Sequence, residues 1–196
     1  MITLKIANLT KQFKNKTGIN EITFTATNGE CIGIIGNNGA GKTTLIKTIL
    51  GNFKKNGGSI TATKHDNVEV VYSYLPDQRS YPSDLSVYDY IHYYLVIKRI
   101  RFEKVKINAL LQKFGLDKVG KKRFSSLSSG MVKKVLLVAA LLTDADIYFM
   151  DEPTANLDAA TQKIFKEVIK MLCQNGKIVL NVSHNFEELD DISTRI

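Results

Sequence analysis

Apolar and polar residues alternate along the first thirty positions of the chain, as on the two faces of a half-exposed strand. The alternation is clearest at residues 4–6 and 22–26 and predicts strands of an antiparallel sheet. A turn at Asn28-Gly29-Glu30 then leads into Cys31–Ile35, a continuous apolar run that is typical of a buried parallel strand. The pattern therefore predicts a change from antiparallel to parallel sheet near residue 30.

Helical and extended patterns alternate over the rest of the chain. Strands that alternate with helices favour an α/β fold with a mostly parallel, helix-flanked sheet. The helical interval of about 78–142 is expected to be a subdomain inserted into a single domain that spans residues 1–196. Helices are predicted from about Lys42 to Gly51, at 86–100, 103–114 and 129–142, from Asp158 to about Gln174 and from about Asn185, and strands at 60–63, 68–75, 147–150 and 177–182.

Composition indicates a folded protein of a reducing compartment. Apolar residues make up 44% and charged residues 23% of the 196 positions, which is enough apolar surface to bury a core. Cys31 and Cys173 are the only cysteines, which excludes a disulfide scaffold and a four-cysteine zinc site. The longest apolar run, Val135–Leu142, has eight residues, far fewer than the ~20 that cross a bilayer. Any work at a membrane is therefore expected to need a partner.

The net charge of +8 is concentrated in one part of the chain. Residues 98–134 hold twelve lysines and arginines against only Glu103 and Asp117, so their local net charge is +10. This segment is interpreted as a solvated helical face, or as a face that contacts anionic lipid headgroups or an acidic partner. Nucleic acid is not expected as a partner, because the segment contains no recognisable nucleic-acid module and no aromatics spaced for base stacking.

A glycine-rich loop between a predicted strand and a predicted helix gives the strongest chemical signal. Residues Gly36-Asn37-Asn38-Gly39-Ala40-Gly41-Lys42-Thr43 match the phosphate-binding pattern G-x-x-x-x-G-K-[ST] at every fixed position. Glycines allow backbone N–H groups to surround phosphate oxygens, and the helix N-terminus adds positive potential. Lys42 is expected to contact the β- and γ-phosphates and Thr43 to coordinate Mg²⁺, and Thr44 is counted with the nucleotide-binding residues. The loop predicts binding of a nucleoside triphosphate.

Two carboxylates follow the apolar strand predicted at 147–150. Ligands collect at the carboxyl ends of the strands of an open α/β sheet, so both acids are expected near the phosphate loop. Asp151 is expected to hold Mg²⁺ together with Thr43, because this ion prefers oxygen ligands. Glu152 lies one residue further and is expected to orient or deprotonate an attacking water. The second acid predicts hydrolysis rather than binding alone.

These motifs and several that follow resemble the ATPase subunit of ATP-binding cassette (ABC) transporters, over the range Ile2–Ile196. The segment Leu127-Ser128-Ser129-Gly130-Met131 is similar to the LSGGQ signature of that family, with Ser129 in place of the first glycine and Met131 in place of the glutamine. The resemblance implies that Ser128 and Gly130 contact the γ-phosphate of an ATP held by a second subunit. It also implies the P-loop NTPase fold with an antiparallel β subdomain at the N-terminus.

The resemblance assigns further site positions. Phe13 matches the aromatic residue that stacks on adenine, Asp158 matches the D-loop residue that links the two subunits, and His184 matches the switch histidine at the γ-phosphate. The Q-loop glutamine of the family contacts Mg²⁺ and the attacking water. Here a strand is followed by Asp77 and then by Gln78, so direct alignment places Asp77 at this position and a shift of one residue would place Gln78.

The resemblance implies an ATP- and Mg²⁺-dependent ATPase that forms a homo- or heterodimer around ATP and drives a separate integral-membrane permease. The compact interval 79–126 and the pair Lys133-Lys134 after the signature favour an export system. The expected location is the cytoplasmic side of the cell membrane, held there by the permease.

Two other interpretations compete with a transport ATPase. A soluble cassette ATPase that acts on nucleic acid or ribosomes is the main alternative. Such relatives generally carry paired cassettes, long coiled-coil insertions or zinc cysteines, which this sequence lacks, but the basic segment 98–134 keeps the alternative open. A small-molecule kinase would leave residues 127–131 and 155–158 without a role. The family usually continues beyond Ile196, and both a naturally short chain and a truncated one fit the sequence.

Overall fold

The computed structural model describes residues 1–65, 68–77 and 82–196, and its N-terminal part contains an antiparallel sheet. Strand β1 (Ile2–Gln12) lies between β2 (Gly18–Thr27) and β4 (Gly57–Lys64). Alternate residues of β1 face the interior, and Leu4 and Ile6 are completely buried. The alternating pattern of the sequence thus forms half-exposed antiparallel strands, as predicted.

A parallel sheet lies next to the antiparallel one. Its strands are β3 (Cys31–Ile35), β5 (Tyr72–Leu75), β6 (Ile147–Asp151) and β7 (Ile178–Ser183), in the spatial order β3-β7-β6-β5. Each neighbouring pair is parallel. Every residue of the central strands β6 and β7 is buried, which explains why their sequences are nearly continuous apolar runs. The carboxyl ends of these strands meet at one edge of the sheet.

Helices connect the strands and form the inserted lobe. They are α1 (Lys42–Ile49), α2 (Val87–Ile97), α3 (Lys104–Lys113), α4 (Ser129–Leu141), α5 (Ala159–Gln174) and α6 (Phe186–Ile192). Four helices begin at a side chain that accepts a hydrogen bond from the backbone N–H three residues later: Ser86, Ser128, Asp158 and Asn185. Gly51 and Gly176 follow α1 and α5 with φ of +80° and +73°, a left-handed conformation that ends a helix.

Two apolar clusters pack against the parallel sheet, one on each face. On one face α2, α3, α4 and α5 pack against residues such as Met150 and Val179. On the other face the antiparallel strands and α1 pack against residues such as Phe149 and Leu180. Successive residues of β6 and β7 thus face opposite clusters, so the parallel sheet is the middle layer. This arrangement confirms the predicted α/β class, and the limits of about 78–142 for the helical subdomain stay a prediction.

Two predicted elements are shorter in the structure. The strand predicted at 68–75 contains only Tyr72–Leu75, because its partner β6 begins at Ile147 and the carboxylate of Asp146 accepts the N–H of Val71 at 3.0 Å. The helix predicted at 86–100 ends at Ile97, because Arg99 adopts a left-handed φ of +57°. The N–H of Ile100 then bonds to the carbonyl of Leu95 at 2.8 Å, which closes the helix end.

Candidate active site

The phosphate loop joins the end of β3 to the start of α1 at the carboxyl edge of the parallel sheet. Gly39 and Gly41 have φ of +87° and +94°, a conformation that favours glycine. Lys42 Nζ donates hydrogen bonds to the carbonyl oxygens of Gly36 and Asn37, the latter at 3.2 Å. No side chain caps α1, whose N-cap is Gly41, so its first N–H groups remain available for an anion.

A pocket of about 270 Å³ opens above this loop. Phe13 lines its outer side, held edge-on against Phe53 with a ring-centroid distance of 5.4 Å, and Lys11 Nζ lies 4.9 Å from the ring centre of Phe13. Phe13 is 38% exposed, so part of its ring is open to a flat ligand. The lining residues are Phe13, Thr17, Gly18, the loop and helix residues 37–44, Asp77, Asp151 and Glu152.

Oxygen atoms converge where β6 ends beside α1. The hydroxyl of Thr43 donates to Asp151 Oδ2 at 2.7 Å, and the hydroxyl of Tyr74 donates to the same oxygen at 3.3 Å. Burial raises the pKa of Asp151, and the hydrogen bonds from Thr43 and Tyr74 oppose that rise. Asp77 lines the same pocket, whereas Gln78 lies outside the described residues.

This donor set fits Mg²⁺, which prefers hard oxygen ligands and often shares them between one or two carboxylates and phosphates. Among residues 1–65, 68–77 and 82–196, no group of three or more histidine, cysteine or acidic side chains could hold a metal by itself. Thr43, Asp151 and Asp77 would therefore hold the ion together with phosphate oxygens rather than in a closed protein cage.

Glu152 brings the predicted catalytic residues together. It follows β6 in a left-handed conformation, with φ of +50°. Its Oε2 lies 2.8 Å from His184 Nδ1, and its Oε1 lies 3.6 Å from Lys42 Nζ. Oε1 is buried and has no hydrogen-bond partner in the part of the chain that the structure describes. A buried carboxylate oxygen that accepts no hydrogen bond is costly unless it serves a ligand, so this oxygen is well suited to accept one from a water at the phosphate end of the pocket.

The signature residues lie apart from this pocket. Ser128 caps α4, its Oγ accepting the N–H of Met131 at 3.3 Å, and Ser128 and Ser129 are exposed at the helix start. Asp158 caps α5 by accepting the N–H of Thr161 at 2.8 Å, and its hydrogen bonds to Thr161 lower its pKa. The structure does not bring Ser128, Ser129, Gly130 or Asp158 to the phosphate loop of their own chain, so their predicted contact with ATP requires a second subunit and stays a prediction.

Several residues of the site were not predicted. Tyr74 contacts Asp151 from near the carboxyl end of β5. Its position close to the end of a parallel strand is the signal that could have identified it. Thr17 and Gly18 reach the pocket because the β1–β2 hairpin folds over the phosphate loop, which no local pattern indicates. Lys133 was counted with the solvated basic face, but it is 2% exposed and donates hydrogen bonds to the carbonyls of Glu152 and Ala155.

Comparisons with known proteins identify the family of the chain. A family model described as ABC transporter matches residues 19–155, which include the phosphate loop, the signature and both carboxylates. The chain is 35% identical to the manganese transport system ATP-binding protein MntB of Bacillus subtilis, over 97% of this chain and 80% of that protein. It is 28% identical to the Nod factor export ATP-binding protein I of a Rhizobium species (strain N33), over 100% of this chain and 67% of that protein.

The fold is that of a solved ATP-binding subunit of an ABC transporter, with a TM-score of 0.83, 22% identity, and coverage of 97% of this chain and 82% of that one. Within the described residues, no helix is both long and apolar enough to span a bilayer. Export as the direction of transport is not confirmed, because one relative is named for manganese transport and another for Nod factor export. The matches establish the P-loop NTPase fold, and the chain belongs to the ABC transporter family as an ATP-binding protein.

Proposed function

We propose that this chain binds and hydrolyses ATP in a Mg²⁺-dependent reaction and thereby drives transport through a separate membrane permease. One observation supports hydrolysis most directly. The carboxylate of Glu152, which lines the pocket, has one oxygen that accepts no hydrogen bond from the residues that the structure describes: Oε1 is buried and lies 3.6 Å from Lys42 Nζ. The other oxygen, Oε2, lies 2.8 Å from His184 Nδ1. A site that only binds nucleotide has no need of this second acid after Asp151.

Binding of the triphosphate rests on the loop and on α1. The uncapped N–H groups at the start of α1 and the positive end of its dipole favour phosphate oxygens. Lys42 Nζ already lies inside the loop, against the Gly36 and Asn37 carbonyls, so its charge faces the same space. Phe13 offers its open ring surface to the base.

Mg²⁺, when bound, neutralises developing charge on the phosphates. Thr43, Asp151 and Asp77 would hold it, and Tyr74 would keep the Asp151 carboxylate oriented through its 3.3 Å hydrogen bond. Gln78 remains the other candidate for the Q-loop position.

Glu152 would accept a proton from the attacking water or orient that water for in-line attack. His184 Nδ1 contacts Oε2 of Glu152, which leaves Oε1 for the water. The His184 ring is exposed and lines a neighbouring pocket that also contains Glu152, so in this structure it acts on the phosphate pocket through Glu152. Lys42 stabilises charge on the transferred phosphoryl group. The three side chains are therefore assigned as catalytic.

The exposed signature residues favour a dimer in which Ser128, Ser129 and Gly130 of one subunit meet ATP held by the other. Asp158 lies beside this surface at the start of α5 and would link the two subunits. We propose a second copy or a related chain as partner, an integral-membrane permease as the third component, and the cytoplasmic face of the membrane as the location. Loss of the γ-phosphate would remove the contact that joins the two subunits.

The hydrolytic role is tested with Glu152→Gln. This substitution keeps the shape of the side chain and removes the basic carboxylate, so turnover should fall about 100-fold or more. Binding of a fluorescent ATP analogue should persist, and dimers should accumulate in size-exclusion chromatography with ATP. Turnover at the wild-type rate in the purified variant would refute the role of Glu152.

We further propose an export system, which the compact segment 79–126 and the pair Lys133-Lys134 support. Manganese transport is the second candidate, favoured by the 35% identical relative. Deletion of the gene followed by measurement of cell manganese separates the two. Unchanged manganese with an accumulated organic compound supports export of that compound, whereas altered manganese supports the second candidate.

A further inference from the structure

Helix α4 contains a lysine that is buried rather than solvated. Lys133 is 2% exposed, although lysine is almost never fully buried unless it is paired. Its ammonium group donates hydrogen bonds to two backbone carbonyls, those of Glu152 and of Ala155, the latter at 3.1 Å. No carboxylate of the described residues lies within ion-pair distance of it. A buried cation bound to two carbonyls calls for a specific explanation.

Nearby carboxylates favour the charged form of this lysine. Burial lowers the pKa of Lys133, and four carboxylates oppose that effect. Those carboxylates are Asp77, Glu152, Glu188 and Asp151, three of which belong to the candidate active site. Lys133 is therefore a buried cation close to the carboxylates of the candidate active site, and it binds the backbone of the segment that carries Glu152.

The two carbonyls that Lys133 binds belong to the turn after β6. Glu152 and Asn156 in this segment have φ of +50° and +61°, which non-glycine residues adopt only when their surroundings hold them there. The N–H of Ala155 also bonds to the Glu152 carbonyl, at a weak 3.3 Å. The ammonium group of Lys133 thus reinforces a turn that its own backbone holds poorly.

We propose that Lys133 is a positioning residue that holds the turn 152–155 and so directs the Glu152 carboxylate toward the phosphate pocket. It also ties that turn to α4, whose first turn carries Ser128 and Gly130. A shift of the signature segment against a second subunit would then move the turn that carries Glu152. This inference rests on the proposed hydrolytic role of Glu152.

The test compares Lys133→Met with a matched control, Lys98→Met. Lys98 is a half-buried lysine whose Nζ likewise donates to a backbone carbonyl, that of Tyr72 at 2.9 Å, and burial lowers its pKa as it lowers that of Lys133. It lies away from the turn. Purified full-length variants are compared by affinity for a fluorescent ATP analogue, by steady-state ATPase kinetics and by hydrogen exchange of the amides at 152–158 without nucleotide.

Lys133→Met should lower kcat about 10- to 100-fold, because small displacements of a catalytic group have effects of this size. ATP affinity should change less than about twofold, and amide exchange at 152–158 should accelerate about tenfold or more, since the turn loses its two hydrogen bonds. Lys133→Arg should restore both properties in part, because it keeps a cationic donor. Lys98→Met should leave kcat and this exchange within about twofold of wild type. If Lys133→Met does not fold, Lys133→Gln should show smaller effects of the same kind, because it keeps an N–H donor group but has a shorter and uncharged side chain.

Three results would overturn the inference: an unchanged kcat with unchanged exchange at 152–158, an equal effect of Lys98→Met, or a loss of ATP affinity that matches the loss of kcat. The proposed function fails differently. A wild-type chain that binds ATP without hydrolysing it refutes that function, and the exchange experiment still decides whether Lys133 holds the turn.

Discussion

Alanine substitutions at Gly39 and Gly41 separate the cost of a left-handed backbone conformation from the cost of a steric clash with a neighbouring segment. Both glycines lie in the same loop with nearly equal φ, +87° and +94°. A Cβ at position 39 would meet no atom within 4 Å. A Cβ at position 41 would lie 2.7 Å from the carbonyl oxygen of Gly18 and 2.8 Å from a methyl group of Ile19, both too close. The pair therefore differs mainly in contact with the β1–β2 hairpin.

The magnitudes follow from these contacts. A left-handed conformation costs a non-glycine residue about 1–2 kcal/mol, so Gly39→Ala should lower the free energy of unfolding by about that amount. Gly41→Ala has the same backbone cost and adds a clash with backbone, for which overpacking gives a further ~1–3 kcal/mol. The difference between the two variants should therefore be about 1–3 kcal/mol.

Urea denaturation followed by circular dichroism measures this difference, with the wild-type chain as reference and nucleotide absent. ATP-analogue affinity should fall more for Gly41→Ala than for Gly39→Ala, because only the former displaces the hairpin that carries Thr17 and Gly18 at the pocket. Equal destabilisation by both substitutions would show that the hairpin does not press on the loop, and the packing argument would then be wrong.

Two further predictions concern hydrogen bonds of the site. Asp158→Ala should lower the free energy of unfolding in urea denaturation, because α5 loses its N-cap. Asp158→Asn can still accept the N–H of Thr161 and should therefore be much less destabilising, and equal losses would refute the cap. Tyr74→Phe should shift the acidic limb of the ATPase pH profile upward, because the Tyr74 hydroxyl stabilises the ionised Asp151 and its loss raises the pKa of that carboxyl. An unshifted limb would show that this hydrogen bond does not act on the ionised form.

Sequence patterns predicted the parts of the molecule that depend on residues close together in the sequence. The phosphate loop is a contiguous motif, and its strand and helix have the expected limits, from Cys31–Ile35 and from Lys42. Because ligands collect at the carboxyl ends of parallel strands, Asp151 and Glu152 were expected near the loop. The structure places Asp151 Oδ2 2.7 Å from the Thr43 hydroxyl and Glu152 Oε1 3.6 Å from Lys42 Nζ, while the roles of both acids stay predictions. The assignment of His184 came from family resemblance, because a single histidine carries little information by itself.

Contacts between distant segments could not be predicted in the same way. Lys133 looks in the sequence like one more residue of a basic surface, and only the packing of α4 under the turn at 152–155 makes it a buried donor. The same holds for the β1–β2 hairpin at the phosphate loop, where the carbonyl of Gly18 lies directly against Gly41. The overlong strand prediction at 68–75 has a similar cause, since its partner strand begins only at Ile147. In each case the deciding partner is distant in sequence.

Several polar groups of the candidate site are paired with one another, and these contacts set what ATP must replace. Lys42 binds two carbonyls of its loop and lies 3.6 Å from Glu152, while Thr43 donates to Asp151. Phosphate must compete with these contacts, so the measured affinity is a difference between the new interactions and those lost. The Glu152 carboxylate is one of the groups with which phosphate competes, because it is an ion-pair partner of Lys42. Its neutralisation in Glu152→Gln removes that competitor, so this variant should bind ATP at least as tightly as wild type while it turns over more slowly.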